Sequence, residues 1–337
     1  MSIHNLRLVQ SKNIPVRLDD FLSERLQAEL SAKKIEISDI SKSKIRRLIV
    51  AGAVCVQDRQ TRQPAFLVKP KAPVSIRLDT EKFSFEKQPE DIAFELTQER
   101  ILFEDESIIV VDKPANLPTE ATVVASRDHL HAAVKRYLQV RDATRNEPYV
   151  GVLHRLDRET SGVILFTKTR TVNAAVHELF LSHSLVKEYE ALTAKRAAVV
   201  RRAGDEFSVE NRMDRVSSKS SAGKWGAVSS GGDFAKTDFC VIEEFEAGLR
   251  IRAVPLTGRT HQIRVHLSGV AMPLFGDSLY GGPDFIPGPV PHRVPRVMLH
   301  AKKLTFTHPV TGSLLSVEAP LPEDFRSCLE ILRQSSH

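Results

Sequence analysis

The stretch HRLDRETSG, residues 154–162, puts Arg155, Asp157, Arg158 and Glu159 into five consecutive positions between apolar runs. If a strand continues to Asp157, then Leu153, Arg155 and Asp157 project to one side and His154 and Leu156 to the other. Thr160, Ser161 and Gly162 then supply a turn. A carboxylate at a strand end beside a loop is open to a substrate. Without a cation it would lose its charge to desolvation, and a nearby guanidinium would keep it ionised and fix its direction. The residues alone leave two readings. Asp157 is a reactive group, or it caps a turn and pairs with a local arginine.

A second cluster, GRTHQIRVHLSG, spans residues 258–269. Thr260 is placed to cap a helix, Ile263, Leu267 and Val270 form its apolar stripe, and Arg264 sits one turn inside. His261 and His266 suggest a metal, but five positions on a helix turn the rings apart by about 140°. On a strand they would take opposite faces. HExxH spacing is absent and the cysteines do not cluster, so no metal is expected. G-x-S-x-G, the Walker A pattern and GxGxxG are also absent, which argues against a nucleophile elbow and a phosphate-cradling loop. One aspartate, several arginines and a tyrosine remain, a set that points to chemistry without a cofactor.

The elements that must position these groups follow from periodicity. ILFEDESIIVVDKP reads as two strands around a turn at Asp105-Glu106-Ser107, and HLHAAVKRYL as a helix. The continuous run Val163 to Phe166 predicts a strand covered on both faces. Val172, Ala175, Val176, Leu179 and Phe180 carry a helical stripe, and LVKEYEAL is a strand. Residues 201–236 are Gly/Ser-rich and read as a surface excursion. TDFCVIEEFEAGLRIRAVPL gives two strands, and VMLHAKKLTFTHP and SLLSVEAPL close the chain with strands. Many strands with a few interspersed helices predict an α+β fold with a mixed, largely antiparallel sheet.

At the N-terminal end, VRLDDFLSERLQAEL predicts an amphipathic helix. SKSKIRRLIVAG predicts a second, stopped by Gly52, and a small hairpin follows. Lys42, Lys44, Arg46 and Arg47 crowd the second helix. They form either a solvated face or a surface that tracks a nucleic-acid backbone. Residues 81–99 have no clear period and read as a linker.

The 337 residues suffice for two domains. Lys and Arg total 48 against 42 Asp and Glu, so the formal charge is +6, a mild excess that favours polyanions without proving one. The three cysteines are far apart, which fits a reducing compartment and argues against a disulfide framework. No apolar run approaches the ~18 residues of a membrane span, and the N-terminus lacks a signal-peptide core, so a cytoplasmic protein is expected.

HRLDRETSG resembles the signature of the RluA-type pseudouridine synthases. ILFEDESIIVVDKPANLP, LVKEYEAL, TGRTHQIRVHL with PLFGDSLYGG, and LHAKKLTFTHP with APLPEDF are similar to the other family motifs, in order. The resemblance covers residues 100–325. RLDDFL, SKSKIRRLI, AGAVCV and PAFLVKP resemble a small RNA-binding module first known from a small-subunit ribosomal protein, giving a module at 13–80.

The family resemblance implies isomerisation of uridine to pseudouridine in structured RNA, with no cofactor. It implies that Asp157 is the essential aspartate, as nucleophile or as a base assisting glycosidic cleavage. Arg264 would be its partner, Tyr189 the tyrosine that stacks on the target base, and Arg155 the residue that enters the RNA where the nucleotide was. Leu299 would lie beneath the base, or is a core leucine, and His154 and Lys113 would contact substrate. The expected partner is ribosomal RNA of the large subunit first and transfer RNA second, with the protein acting as a monomer. Two other classes remain open. One is a catalytically silent RNA-binding assembly factor. The other is a glycoside hydrolase, which would need a second carboxylate flanking the bond. In PANLP, Asn116 stands where the family usually has glycine, so a positive-φ asparagine is expected there.

Overall fold

The computed structural model describes residues 3–33, 35, 40–79, 94–121, 128–143, 146–195, 200–216 and 224–334. Two compact units form, built on residues 1–89 and on residues 90–337. Residues 34 and 36–39, after the first helix, and most of the linker reading at 81–99 fall outside the described residues.

The first unit runs β1 (Ile3–Val9), β2 (Val16–Arg17), α1 (Leu18–Ala32), α2 (Lys42–Val50), β3 (Val54–Val56), β4 (Arg59–Thr61), β5 (Leu67–Val68) and β6 (Pro73–Asp79). An antiparallel sheet in the order β1-β6-β3-β4 forms, and β2 pairs with β5. Leu6 and Leu8 of β1, Leu18, Leu22 and Leu26 of α1, and Ile45 and Ile49 of α2 share one core. The unit therefore starts ahead of the expected boundary at 13, because the period-two pattern of β1 buries alternate leucines against the helices. The Ser41 hydroxyl accepts the Lys44 N–H at 3.3 Å and caps α2, and Gly52 ends the helix region at φ +79°. Gln57 and Asp58 both have positive φ (50° and 60°), which places the turn of the expected hairpin between β3 and β4.

The second unit runs β7 (Ile101–Glu104), β8 (Ile108–Lys113), α3 (Leu130–Arg141), β9 (Gly151–Val152), β10 (Ser161–Thr167), α4 (Asn173–Leu181), β11 (Val186–Ala194), β12 (Glu206–Arg215), β13 (Trp225–Val228), β14 (Asp233–Glu244), β15 (Gly248–Pro255), α5 (Gln262–Gly269), β16 (Phe285–Ile286), β17 (His292–Arg293), β18 (Leu299–Thr307), β19 (Leu314–Glu318) and α6 (Glu323–Gln334). The large sheet has the order β13-β12-β14-β15-β11-β18-β10-β8-β7, with β19 on β18 and β9 on β10. Its pairs are antiparallel except β10 with β18. This is the mixed, largely antiparallel sheet that the pattern of the sequence predicts.

Strands β8 and β10 are covered on both faces. Ile109, Val111, Ile164 and Phe166 meet Leu130, Val134 and Leu138 of α3. Ile108, Val110, Val163 and Leu165 meet Val172 and Val176 on the α4 side. Phe94 and Leu96, within the stretch read as a linker, are buried in the α3 core. The second unit also continues past 325. Phe325, Cys328, Leu329 and Leu332 of α6 bury at helical spacing against Phe275, Val294 and Met298. Within the excursion at 201–236, the described residues include sheet, since β12, β13 and the start of β14 extend the sheet edge.

Gly162 brings β10 against β18. Its φ is +112°, and a Cβ there would lie 2.1 Å from the Ala301 carbonyl oxygen. The parallel pair Ser161/His300 and Gly162/Ala301 depends on this approach. Gly162→Ala should therefore destabilise the fold by more than about 2 kcal/mol, through strain at a backbone conformation closed to L residues. Urea unfolding checks this, and an unchanged midpoint would show that β10 and β18 can move apart freely.

Candidate active site

Residues 153–157 leave β9 without joining a strand, so Asp157 stands on a loop and not at the end of an extended strand. The loop is held at every step. Thr119 Oγ1 donates to the Leu156 carbonyl at 3.0 Å and accepts the Leu156 N–H at 3.2 Å. The Thr160 N–H donates to the Asp157 carbonyl at 3.1 Å, closing the turn. Lys113 Nζ donates to the carbonyls of Pro114, Leu117 and Arg158 at 3.0, 2.7 and 3.0 Å. Arg158 Nε donates to the Asn116 carbonyl at 3.1 Å, and Asn116 has the expected positive φ, 64°.

From the other side, Arg296 is buried and spreads its guanidinium over the Glu159, Val297 and Leu299 carbonyls and Ser161 Oγ. Asp324 in the first turn of α6 accepts two more of its hydrogen bonds, at 2.6 and 3.0 Å. The C-terminal helix thus braces the loop that carries Asp157. A single buried charge that satisfies this many acceptors is a rigid support.

Asp157 is 27% exposed at the floor of a cleft of about 1250 Å³, and Arg264 beneath it is 6% exposed. Arg264 Nη1 reaches Asp157 Oδ2 at 3.3 Å. Its other edge makes a two-point contact with Asp277, Nε to Oδ2 at 2.7 Å and Nη2 to Oδ1 at 2.8 Å. Asp277 is 1% exposed, and the Tyr280 ring lies 5.1 Å from the guanidinium carbon. Hydrogen bonds and the charges of Asp277 and Asp157 raise the Arg264 pKa despite its burial. A permanent cation, held by one carboxylate, is therefore presented to the other.

The helix that carries Arg264 starts one residue later than expected. His261, in the left-handed region at φ 58°, takes the capping position in place of Thr260. Gln262 stitches the turn to the sheet. Its carbonyl accepts from Thr257 Oγ1 and the Arg259 N–H, and its amide donates to the Lys236 carbonyl and Thr237 Oγ1. His266 faces Thr237 and Asn211, away from His261. Among the described residues no group of three or more His, Cys, Asp or Glu could hold a metal ion.

Tyr189 comes from β11. Glu188 pairs with Lys303 and Tyr189 with Ala301, so Lys302 is an extra residue on β18 and forms a bulge. Bulges re-aim side chains, and Tyr189 lines the cleft together with Leu299. Burial, with Asp157 adding to it, raises the phenol above its ordinary pKa, so Tyr189 keeps its proton. Arg155 sits at the rim with its side chain 69% exposed, and the nearest carboxylate, Glu120, is 4.0 Å away.

Of the expected substrate contacts, Lys113 is corrected and His154 lines the cleft. Lys113 is fully buried with its amine spent on three carbonyls, and burial pulls its pKa down to about 7. It holds the loop and does not reach the cleft. His154 accepts the Leu165 N–H on Nε2 at 2.9 Å and packs 5.0 Å from the Phe180 ring. Burial pushes its pKa down to about 3, so it is a neutral brace whose ring lines the wall. The sequence reading missed Asp277, Arg296 and Lys187. Lys187 lines the cleft, donates to the Thr257 carbonyl at 3.2 Å, and is pulled down to about 8 by burial. Its position two residues before Tyr189 was the available signal.

In the first unit, Lys44 is buried and so leaves the expected basic surface. Lys42 pairs with Asp20, and Arg46 Nε reaches Asp19 at 2.8 Å. Asp19 has no exposed surface, and its bonds to Arg17 and Arg46 hold its carboxyl down to about 2. Arg46 keeps half its side chain exposed and Arg47 is exposed.

Comparison with known proteins bears on the whole arrangement. The RNA pseudouridylate synthase profile matches residues 107–269, which include Asp157, Tyr189 and Arg264. Ribosomal large subunit pseudouridine synthase D of Vibrio parahaemolyticus is 30% identical over 94% of this chain and 94% of its own length. The enzyme of the same name from Pseudomonas aeruginosa is 36% identical over 74% of this chain and 76% of its own. The solved structure of human RNA pseudouridylate synthase domain containing 4 shares the fold, with a TM-score of 0.53 at 23% identity, covering 70% of this chain and 93% of that one. Similarity of this extent, running through the segments that build the cleft, makes the chain a member of the RNA pseudouridylate synthase family.

Proposed function

We propose that this protein isomerises uridine to pseudouridine in large-subunit ribosomal RNA, with Asp157 as the reactive group. The observation that carries this reading is a partly exposed carboxylate on a braced loop, held by an arginine that a second, buried carboxylate fixes in place. The relatives are named for pseudouridine synthesis in the large ribosomal subunit, which supports the choice of RNA.

The target uridine leaves its stack, at a cost of a few kcal/mol, and enters the cleft. Exposed Arg155 fills the gap, where a planar guanidinium can stack and hydrogen-bond. Tyr189 stacks on the base as a neutral phenol, and Leu299 supplies an apolar surface below it. The bond from N1 to C1′ breaks, the uracil turns, and a bond from C5 to C1′ forms. The C5 proton is lost and N1 gains one, so composition is unchanged. Asp157, oriented by Arg264, acts at the sugar or ring as nucleophile, or as the base that assists cleavage. The first unit contributes RNA backbone contacts through Lys42, Arg46 and Arg47, and the protein works as a cytoplasmic monomer.

The test is tritium release from RNA labelled at uracil C5. Release from unmodified large-subunit ribosomal RNA and none from bulk transfer RNA is expected. Release from transfer RNA alone would reassign the substrate. Tight binding to both pools without release from either would overturn the enzyme reading in favour of a silent assembly factor.

A further inference from the structure

We propose that His261 is a positioning residue for Asp157. Its Nε2–H, oriented by Tyr280, closes on Asp157 Oδ2 when RNA fills the cleft. The inference rests on the reading of Asp157 as the reactive group.

Three observations lead to it. The first is backbone strain. His261 occupies the left-handed region, φ 58° and ψ 20°, at the start of α5, and its side chain makes no capping bond. A residue with a Cβ is costly there, and such strain gathers at functional sites. The imidazole turns toward Asp157, with Nε2 3.8 Å from Oδ2.

The second observation favours one tautomer. The Tyr280 hydroxyl oxygen accepts the Trp225 N–H at 3.0 Å. Its one proton is then free for His261 Nδ1, 2.8 Å away. A neutral imidazole that accepts at Nδ1 carries its proton on Nε2, the atom facing Asp157. Burial lowers the His261 pKa against the opposing charges of Asp157 and Asp277, with Arg264 adding to the lowering, which favours the neutral ring.

The third is the shared support. Tyr280 is 7% exposed, its ring lies edge-on to His261 at 5.6 Å, and it packs 5.1 Å from the Arg264 guanidinium carbon. One tyrosine thus holds both groups that address Oδ2. Arg264 already touches that oxygen, and the imidazole stops about half an ångström beyond hydrogen-bond reach. Hydrogen bonds of this kind are often long in the free enzyme and tighten around substrate. With both donors on Oδ2, Oδ1 is left to face the nucleotide.

The experiment measures single-turnover tritium release, RNA affinity and melting temperature for His261→Leu, His261→Gln, Tyr280→Phe and Asp157→Asn. His261→Leu should lower the rate on the order of 10-fold or more, with RNA affinity unchanged. Glutamine places an N–H near the position of Nε2, so His261→Gln should recover most of the rate. Tyr280→Phe keeps the ring and removes the hydroxyl, with both the proton offered to His261 and the acceptor of the Trp225 N–H. It should slow the wild-type reaction but leave His261→Leu no slower, which loss of the Trp225 bond alone would not do. Wild-type rates in His261→Leu and Tyr280→Phe, with Asp157→Asn silent, would overturn the inference alone. Equal losses in His261→Leu and His261→Gln would do the same. An active Asp157→Asn would instead overturn the reading on which it rests, and the inference with it.

Discussion

Asp157→Asn should lower the rate of isomerisation by at least about 10³-fold while leaving the fold and RNA binding intact. Asparagine has the same shape but cannot act as a carboxylate nucleophile or take a proton as a base. The fold survives because Arg264 keeps its two bonds to Asp277, so no buried cation is orphaned. The braces on Leu156, Arg158 and Glu159 do not involve the Asp157 side chain either. Single-turnover rates, RNA affinity and melting temperature measured together check this. A variant that turns over within 10-fold of wild type would show that another group performs the reaction.

Asp277→Ala should have the second large effect, on both stability and rate. Arg264 is 6% exposed and would keep only the longer contact to Asp157. Breaking a buried pair by removing one partner costs about 3–5 kcal/mol. The released guanidinium would also no longer be aimed at Asp157. Replacing both members, Arg264→Met with Asp277→Leu, should recover much of the stability, since a buried pair exchanged for apolar side chains is often neutral. That double variant should still be inactive, because Asp157 has lost its cation. Urea unfolding separates the two effects. An unchanged midpoint in Asp277→Ala would mean that the pair is not what holds this part of the site.

The segments that line the cleft were legible because their chemistry is local. HRLDRETSG and HQIR announce a cluster of charge and a helix with an arginine one turn inside, and the structure brings Asp157 and Arg264 together, with Asp157 on a loop where a strand end was expected. Asn116 was expected at positive φ because it stands where the resembled family usually has glycine, and its φ is 64°. Asp277 was hidden, because nothing local distinguishes an aspartate in a Gly-rich loop from a solvated one. Its value comes from a partner 13 positions away on a buried helix. Arg296 and Asp324 were hidden in the same way, as supports that join distant segments. Lys113 was misplaced because a polar side chain near a site reads as a substrate contact. Only the fold shows that its amine is taken by backbone carbonyls, while His154 lines the cleft with Nε2 taken by the Leu165 N–H.

Two misreadings of the fold had signals in the sequence. Phe207, Val209 and Met213 alternate along β12, but the glycines and serines that follow dominated the composition. Phe325, Cys328, Leu329 and Leu332 have helical spacing, yet PLPEDF suggested an ending and not the start of α6.

The most direct test of the account is to incubate the protein with unmodified large-subunit ribosomal RNA, digest the RNA to nucleosides and quantify them. The account predicts that pseudouridine appears as uridine disappears, one for one, and that Asp157→Asn yields none. Wild-type protein that binds this RNA tightly and leaves its uridine unchanged would contradict it.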